Sequence, residues 1–347
     1  MAEYISFQPK DFFSPTLYTG TGAELTVTGI DFQPDFTWLK DRSAVQHHQV
    51  YDSVRGAGKV IYPNLDNAEG TVTQQLKSWT SDGYVIGTDG SANTDTNLYA
   101  SWNFKAGTAF SGATTGSGTL KTYTASVSTT SGISITKYIG NGTSDHRIPH
   151  NLGAVPKIVI VKKLNASAGW VVMGTNMLTS SNYYLSLETT AAQDDGAGTV
   201  FYSWPSSTYF GIGAAGTTNT NDGDYIAYSF APIKGYSSFG KYTGNNSSDG
   251  YFLYTGFRPA YVMIKKISDT GNWNIFDSKR LGYNVDNNVL SANTSEQEWS
   301  DDRLDIVSNG IKFRSNWDGV NDASDFIYMA FAENPIVSSN DVPTVAR

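Results

Sequence analysis

The sequence predicts an all-β protein made of three tandem, homologous antiparallel β-sandwich modules of a jelly-roll-like kind. First, a segment with a glycine, a proline and a run of β-branched and aromatic residues that ends at lysine occurs three times. Second, aromatic residues make up 13% of the 347 residues and 34 residues are glycine, which is typical of short strands joined by turns. Third, helical periodicity is nearly absent, and only residues 68–79 could form a short helix.

The repeated segment is predicted to be a strand in each copy. Proline cannot donate to a sheet ladder, so it marks the first residue of a strand, and the residues after it suit a pleated surface with a buried face. In every copy a lysine follows the proline by six positions: Pro34 and Lys40, Pro156 and Lys162, Pro259 and Lys265.

The elements around this strand also recur. Each copy opens with a tyrosine strand and a glycine-containing or polar turn, at residues 17–22, 137–142 and 241–246. Asp82-Gly83 and Asn309-Gly310 predict hairpins with type I′ turns, whose central residues need positive φ. Each copy closes on a strand with two largely apolar faces, at residues 97–104, 224–231 and 325–332, which favours the middle of a sandwich.

An aspartate and an arginine three residues later follow the repeated strand in two of the copies. They are Asp52 with Arg55 and Asp277 with Arg280. We expect each pair to form a buried or half-buried ion pair that fixes a turn. A ligand-binding role is less favoured, because the middle copy has neither residue.

These elements divide the chain into six predicted segments. They are an N-terminal leader (1–13), a first module (14–106), a connector rich in Gly, Ser and Thr with a hairpin (107–136), a second module (137–234), a third module (235–335) and a C-terminal tail (336–347). Phe7, Phe12 and Phe13 could attach the leader to a neighbour.

Composition restricts the classes of function. A formal net charge of −8 argues against nucleic-acid binding, which normally requires a basic face. There is no cysteine, so stability cannot depend on disulfides. The first residues have no signal-peptide pattern, and no run approaches the about 18 apolar residues that would indicate membrane insertion.

The sequence predicts no catalytic, cofactor or metal site. His47 and His48 would point to opposite faces of a strand, and His146 and His150 would need a helix to converge. Oxygen-rich residues 219–224 lack the closing glutamate of a calcium loop, so a plain turn is favoured over a cation site. Paired carboxylates lie in the variable loops, and no Gly-x-Ser-x-Gly motif occurs.

Three tryptophans in polar surroundings are the candidate glycan-facing residues: Trp204, Trp299 and Trp317. An aromatic ring on a loop offers the flat apolar face that a sugar needs. Packing in the core or at a subunit interface is the alternative explanation.

The motifs at residues 17–22, 32–42, 51–56, 81–84 and 100–107, and again at 138–143 and 152–163, resemble a module of tailed-bacteriophage virion proteins, many of them tail fibres. The resemblance covers about residues 14 to 335 and carries no catalytic signature, although the long N-terminal rod of many fibres is missing. It implies a non-enzymatic virion protein, made in the host cytoplasm, that contacts other virion proteins.

Within this class, the resemblance favours a tail fibre or tail-tip component that binds a host-surface glycan or envelope protein. Alternatives are a capsid-surface decoration or tail adaptor protein without a receptor role, and a glycan-degrading depolymerase. A homo-oligomer is expected, a trimer if the protein is a fibre, although three modules in one chain could equally form a pseudo-threefold unit.

Overall fold

The computed structural model describes residues 7–280, 284, 287–334, 336–337 and 343–344. It confirms the predicted all-β class, with every strand pair antiparallel in the described chain. Of the predicted leader, residues 1–6 lie outside the described part, as do most residues of the predicted tail. The tail residues that are described form a two-stranded pair, β31 (Ile336–Val337) with β32 (Pro343–Thr344).

The strands fall into three consecutive groups, which we call strand sets 1 (β1–β9), 2 (β10–β21) and 3 (β22–β30). Strand set 1 follows a 3-10 turn at Pro9–Asp11. Central sheet 1 has the order β1-β9-β3-β4, outer sheet 1 has the order β2-β8-β7, and β5 pairs with β6. The elements are β1 (Phe13–Thr19), β2 (Leu25–Val27), β3 (Phe36–Asp41), β4 (Gln49–Asp52), β5 (Lys59–Val60), β6 (Gly70–Thr71), β7 (Leu76–Thr80), β8 (Gly83–Ile86), α1 (Gly90–Asn93) and β9 (Leu98–Phe104).

Strand set 2 is the largest. Central sheet 2 has the order β10-β12-β13-β21-β15-β16-β17-β18, and outer sheet 2 has the order β11-β14-β20-β19. The elements are β10 (Thr108–Ala113), β11 (Thr115–Gly116), β12 (Thr122–Ser128), β13 (Ile133–Ile139), β14 (His146–Pro149), β15 (Ile158–Lys163), β16 (Val171–Gly174), β17 (Tyr183–Ser186), β18 (Asp194–Asp195), β19 (Phe201–Ser203), β20 (Tyr209–Ile212), α2 (Gly216–Asn219) and β21 (Asp224–Phe230).

Strand set 3 follows set 2 along the chain. Central sheet 3 has the order β22-β30-β24-β25-β26-β27, and outer sheet 3 has the order β23-β29-β28. The elements are β22 (Ser237–Thr243), β23 (Phe252–Tyr254), β24 (Pro259–Lys266), β25 (Trp273–Asp277), β26 (Asn287–Ser291), β27 (Trp299–Asp301), β28 (Leu304–Val307), β29 (Gly310–Phe313) and β30 (Asp325–Ala332).

The same order of four strands occurs in each central sheet: β1-β9-β3-β4, β13-β21-β15-β16 and β22-β30-β24-β25. The Pro-to-Lys segments supply β3, β15 and β24, and each pairs with a closing strand on one side. Homology between the three sets, and their division into separate modules, stay predictions.

The closing strands β9, β21 and β30 are buried on both faces, as expected from their two apolar sides. One face packs on the outer sheet of the same set, giving three separate apolar clusters. The opposite faces of all three central sheets meet in one shared core. On the closing strands, Trp102, Tyr228 and Met329 face this shared core. Each central sheet therefore packs on an outer sheet with one face and contributes its other face to a common interior.

The last residue of the leader and most of the connector belong to the sheets. β1 begins at Phe13, whose ring packs 4.6 Å from that of Phe104 and 5.3 Å from that of Phe331, measured between centroids. The predicted connector hairpin is present, because β12 pairs with β13 across a short turn. β13 runs across the predicted end of the connector at residue 136.

Two local predictions are wrong. Residues 68–79 contain β6 and the start of β7 instead of a helix. The hairpins at residues 81–83 and 308–310 exist, but Thr80 pairs with Gly83, so the central turn residues are Ser81 and Asp82, neither with positive φ. Gly83 is required for another reason, because a Cβ there would lie 2.0 Å from the carbonyl oxygen of Val27.

Candidate functional site

The lysines of the three Pro-to-Lys strands are buried and join neighbouring strand sets. Each ammonium donates to the carbonyl of the residue six positions later and to a carbonyl of another set. The contacts to other sets are Lys40 Nζ to Ser295 O at 3.3 Å, Lys162 Nζ to Asp66 O at 2.9 Å and Lys265 Nζ to Thr190 O at 3.0 Å. Set 1 therefore contacts set 3, set 2 contacts set 1, and set 3 contacts set 2, which closes a ring.

These lysines have no carboxylate within ion-pair distance among the described residues. Burial is therefore the main influence on their pKa values. Burial lowers the pKa of Lys40 and of Lys162 to about 8, and that of Lys265 to about 7. A lysine with a lowered pKa often marks a catalytic base. Here the three amines are instead occupied by carbonyl oxygens that belong to the scaffold.

A second ring of hydrogen bonds follows the same direction. His48, Trp170 and Trp273 occupy equivalent places at the start of the strand after the lysine strand. Their ring nitrogens contact carbonyl oxygens of another set: His48 Nε2 and Ser291 O at 3.1 Å, Trp170 Nε1 and Tyr62 O at 3.0 Å, and Trp273 Nε1 and Ser186 O at 2.9 Å.

The protonation of His48 is fixed by its neighbours. Trp38 Nε1 donates to His48 Nδ1 at 2.9 Å, so Nε2 carries the proton that is donated to Ser291 O. The ring is fully buried. Burial and then the nearby Lys40 charge hold the pKa of His48 well below its ordinary value. The imidazole is therefore neutral and acts as a structural donor in place of a tryptophan.

Both predicted aspartate–arginine ion pairs are confirmed, and both are buried. Arg55 Nε lies 2.5 Å from Asp52 Oδ2, and Arg280 Nε lies 2.6 Å from Asp277 Oδ2. Each carboxylate also accepts a hydrogen bond from a closing strand of another set. The donors are Tyr228 Oη to Asp52 at 2.7 Å and Trp102 Nε1 to Asp277 at 3.1 Å.

At the junction between sets 3 and 2, apolar residues occupy the positions of the aspartate, the arginine and the hydrogen-bond donor of the other two junctions. Gly174 stands where the other sets have aspartate, Met177 stands at the arginine position, and Met329 stands where the other closing strands have Tyr228 or Trp102. Met177 and Met329 belong to the shared core. Donor, acceptor and counter-ion have therefore all been exchanged together, which leaves no unpaired buried charge.

The shared core encloses a small apolar cavity of about 20 Å³. It is lined by residues of all three central sheets, including Phe36, Trp102, Tyr228, Tyr261 and Met329. A space of this size could hold a single water, but water also needs polar partners, and this lining is apolar. The cavity is a packing void and is too small for an organic ligand.

Two of the three candidate tryptophans contact each other, and the third packs on different core clusters. Trp204 packs against the shared core and the core of set 2. Trp299 and Trp317 meet edge to face with ring centroids 5.3 Å apart, and the Arg303 guanidinium lies 4.7 Å from the centroid of Trp317. All three are partly buried. Their role in glycan binding stays a prediction.

The ring nitrogens of His146 and His150 are occupied by hydrogen-bond partners. His146 is held by Asn219 Oδ1 at 3.0 Å and Thr114 Oγ1 at 2.7 Å, while His150 Nε2 contacts Ser206 O at 3.1 Å. In the part of the chain that the structure describes, no group of three or more His, Asp or Glu side chains is placed to hold a metal ion.

Sequence reasoning missed another repeated polar feature, a buried asparagine in each strand set. Asn93, Asn219 and Asn321 are fully buried just before the closing strands. The side-chain amide of each donates to backbone carbonyls on both sides; for Asn219 these are Gly213 O at 2.7 Å and Thr143 O at 2.9 Å. The sequence did offer a signal for this feature, because an asparagine lies shortly before the start of each closing strand.

Comparison with known proteins places the chain in a family without assigning an activity. Neither curated proteins nor solved structures gave a match. In the described chain both α-helices are one turn long, and no helix could cross a membrane. A family model matches residues 8–335, which span all three strand sets as one domain. The chain therefore belongs to the family described as Domain of unknown function (DUF7483).

Proposed function

We propose that the protein is a structural component of a tailed-phage particle, a tail fibre or tail-tip protein that contacts the host cell surface. The observation that carries this proposal is the use of the buried polar groups. The buried lysines with lowered pKa values, His48 and the two aspartate–arginine ion pairs all connect one strand set to another. This is the chemistry of a rigid scaffold, on which loops and sheet edges present binding surfaces.

The closed ring also bears on oligomeric state. One chain supplies three central sheets and buries their common faces in a single core. No second copy is needed to complete that core, which favours a pseudo-threefold unit within the chain over a trimer built on the same contacts. Other virion proteins are the expected neighbours.

The test is to locate the protein on particles of a phage that encodes it. Antibodies against the purified chain should label the distal tail in electron micrographs, and the purified chain should compete with particles for adsorption to host cells. Label on the head only would favour the capsid-decoration role, and label at the head–tail joint would favour the adaptor role. Release of sugars from host envelope material by the purified chain would favour a depolymerase.

A further inference from the structure

Outer sheet 3 carries exposed aromatic side chains on its edge strand. Phe252 is 40% exposed and Tyr254 is 65% exposed, whereas Leu253 between them is 4% exposed. Because side chains alternate along a strand, Phe252 and Tyr254 project from the same outward face, about 7 Å apart. Strand β23 pairs with β29 on one side and stands at the end of its sheet.

The neighbours of these rings on strand β29 are a glycine and a lysine. Tyr254 pairs with Gly310, which has no side chain, and Phe252 pairs with Lys312. Lys312 Nζ lies 2.7 Å from Asp249 Oδ1, and the Asp249 side chain is 90% exposed. The hydrogen bond from Lys312 lowers the pKa of Asp249, so this carboxylate is charged at neutral pH and can accept hydrogen bonds from a ligand.

The other two strand sets show that the fold does not need aromatic residues here. Val27, Ile148 and Leu253 are the equivalent inward residues, as the pairing with Tyr84, Phe210 and Ile311 shows. The flanking outward residues are Thr26 and Thr28 in set 1, Arg147 and Pro149 in set 2, and Phe252 and Tyr254 in set 3. The aromatic pair is therefore specific to set 3 and is not a requirement of the outer sheet.

We propose that Phe252 and Tyr254, with Asp249 beside them, form a saccharide-binding platform on outer sheet 3. The rings would stack on the apolar C–H faces of pyranose units, and the carboxylate would accept hydrogen bonds from sugar hydroxyls. A protein partner would need a far larger apolar area than two separated rings next to an exposed ion pair. This inference rests on the proposed host-surface function and names the ligand class for it.

The test uses saturation-transfer NMR on the full chain with a panel of probes: the methyl glycosides of glucose, galactose, mannose, N-acetylglucosamine and rhamnose. At least one glycoside should receive saturation on its ring C–H protons. The double variant Phe252→Thr/Tyr254→Thr, which installs the residues of set 1, should weaken its affinity by about tenfold or more. Tyr202→Thr, which removes a 48% exposed tyrosine from outer sheet 2, should leave binding unchanged.

The platform is refuted if no glycoside of the panel binds, or if the double variant binds as well as the wild type. It is also refuted if light scattering shows a dimer that the double variant abolishes, since the rings would then cover a second copy.

Failure of the platform and failure of the host-contact function give different results. Undiminished binding of the double variant to host cells would contradict the platform alone. Glycoside binding through the platform, by a protein that labels only phage heads and does not bind host cells, would contradict the host-contact function alone.

Discussion

Single buried residues connect the strand sets, and Asp52 shows how one side chain does so. It balances the charge of Arg55, and it accepts a hydrogen bond from Tyr228 of set 2. Both side chains of the ion pair have no exposed surface. Without Asp52, the buried Arg55 would keep only the more distant Glu69 carboxylate, 3.3 Å away, and breaking a buried ion pair is far more costly than never burying it.

We predict that Asp52→Ala lowers the free energy of unfolding by about 3–5 kcal/mol in urea denaturation. The triple variant Asp52→Gly/Arg55→Met/Tyr228→Met copies the apolar junction of Gly174, Met177 and Met329. It should lose no more than about 2 kcal/mol, because Asp52, its tyrosine donor and the buried guanidinium leave together, while Glu69 keeps Lys59 at 3.6 Å as its cation. A triple variant as unstable as Asp52→Ala would show that the two kinds of junction are not equivalent.

The buried lysines predict a specific pH dependence. The pKa of Lys265 is about 7 in the folded protein against the ordinary 10.5, so unfolding takes up a proton between these values. The free energy of unfolding should therefore rise with pH in this interval, by at most about 1.4 kcal/mol per pH unit for each such lysine. Above about pH 10 it should fall, because burial raises the pKa of tyrosines such as Tyr236, which stay protonated only in the folded state.

Lys265→Met should reduce the slope of unfolding free energy against pH between about pH 7.5 and 9.5. Urea titrations at several pH values measure this slope. Lys241→Met, at a side chain that is 42% exposed, is the matched control and should leave it unchanged. Equal slopes for wild type and Lys265→Met would mean that Lys265 is charged throughout the interval.

The residue pairings at the junctions could be predicted only in part. The ion pairs follow from a local Asp-x-x-Arg pattern, and both were expected. The acceptors of the lysines could not be found in this way, because Ser295, Asp66 and Thr190 lie 255, 96 and 75 positions from their lysines, in loops without a shared pattern. A backbone carbonyl carries no residue-specific signal.

Among the elements, the hairpin β28–β29 depends on a close approach of strands. A Cβ at Gly310 would lie 2.1 Å from the carbonyl oxygen of Leu253 on β23. The sequence indicated the hairpin but assigned the glycine to the turn, because Asn-Gly is also the signature of a type I′ turn. Packing of a third strand against the hairpin cannot be recognised from that dipeptide.

Gly310→Ala should therefore destabilise the protein by about 1–3 kcal/mol, since an overpacked site forces the backbone to shift. It should also speed hydrogen exchange in β23 relative to the wild type. Gly90→Ala is the control, because a Cβ there meets only the Thr94 hydroxyl, at 3.2 Å. Equal unfolding midpoints for Gly310→Ala and wild type would show that β23 moves away without cost.

For the whole molecule, the sequence predicted the class and the two-faced closing strands but expected modules with cores of their own. Each set does have such a core, yet the largest cluster is shared by all three. The alternation on β9, β21 and β30 showed that both faces are apolar, but not that one face meets two other sheets. That information lies in side chains such as Trp102 and Tyr228, whose partners are more than 170 positions away.

Native-state hydrogen exchange tests the shared core most directly. Amides of β9, β21 and β30 should open with one common free energy in the wild type, because the three central sheets unfold together. Asp277→Ala, which breaks the junction between sets 3 and 1, should lower that value by the same amount in all three strands. Loss of protection in β30 with unchanged protection in β21 would contradict a single cooperative body.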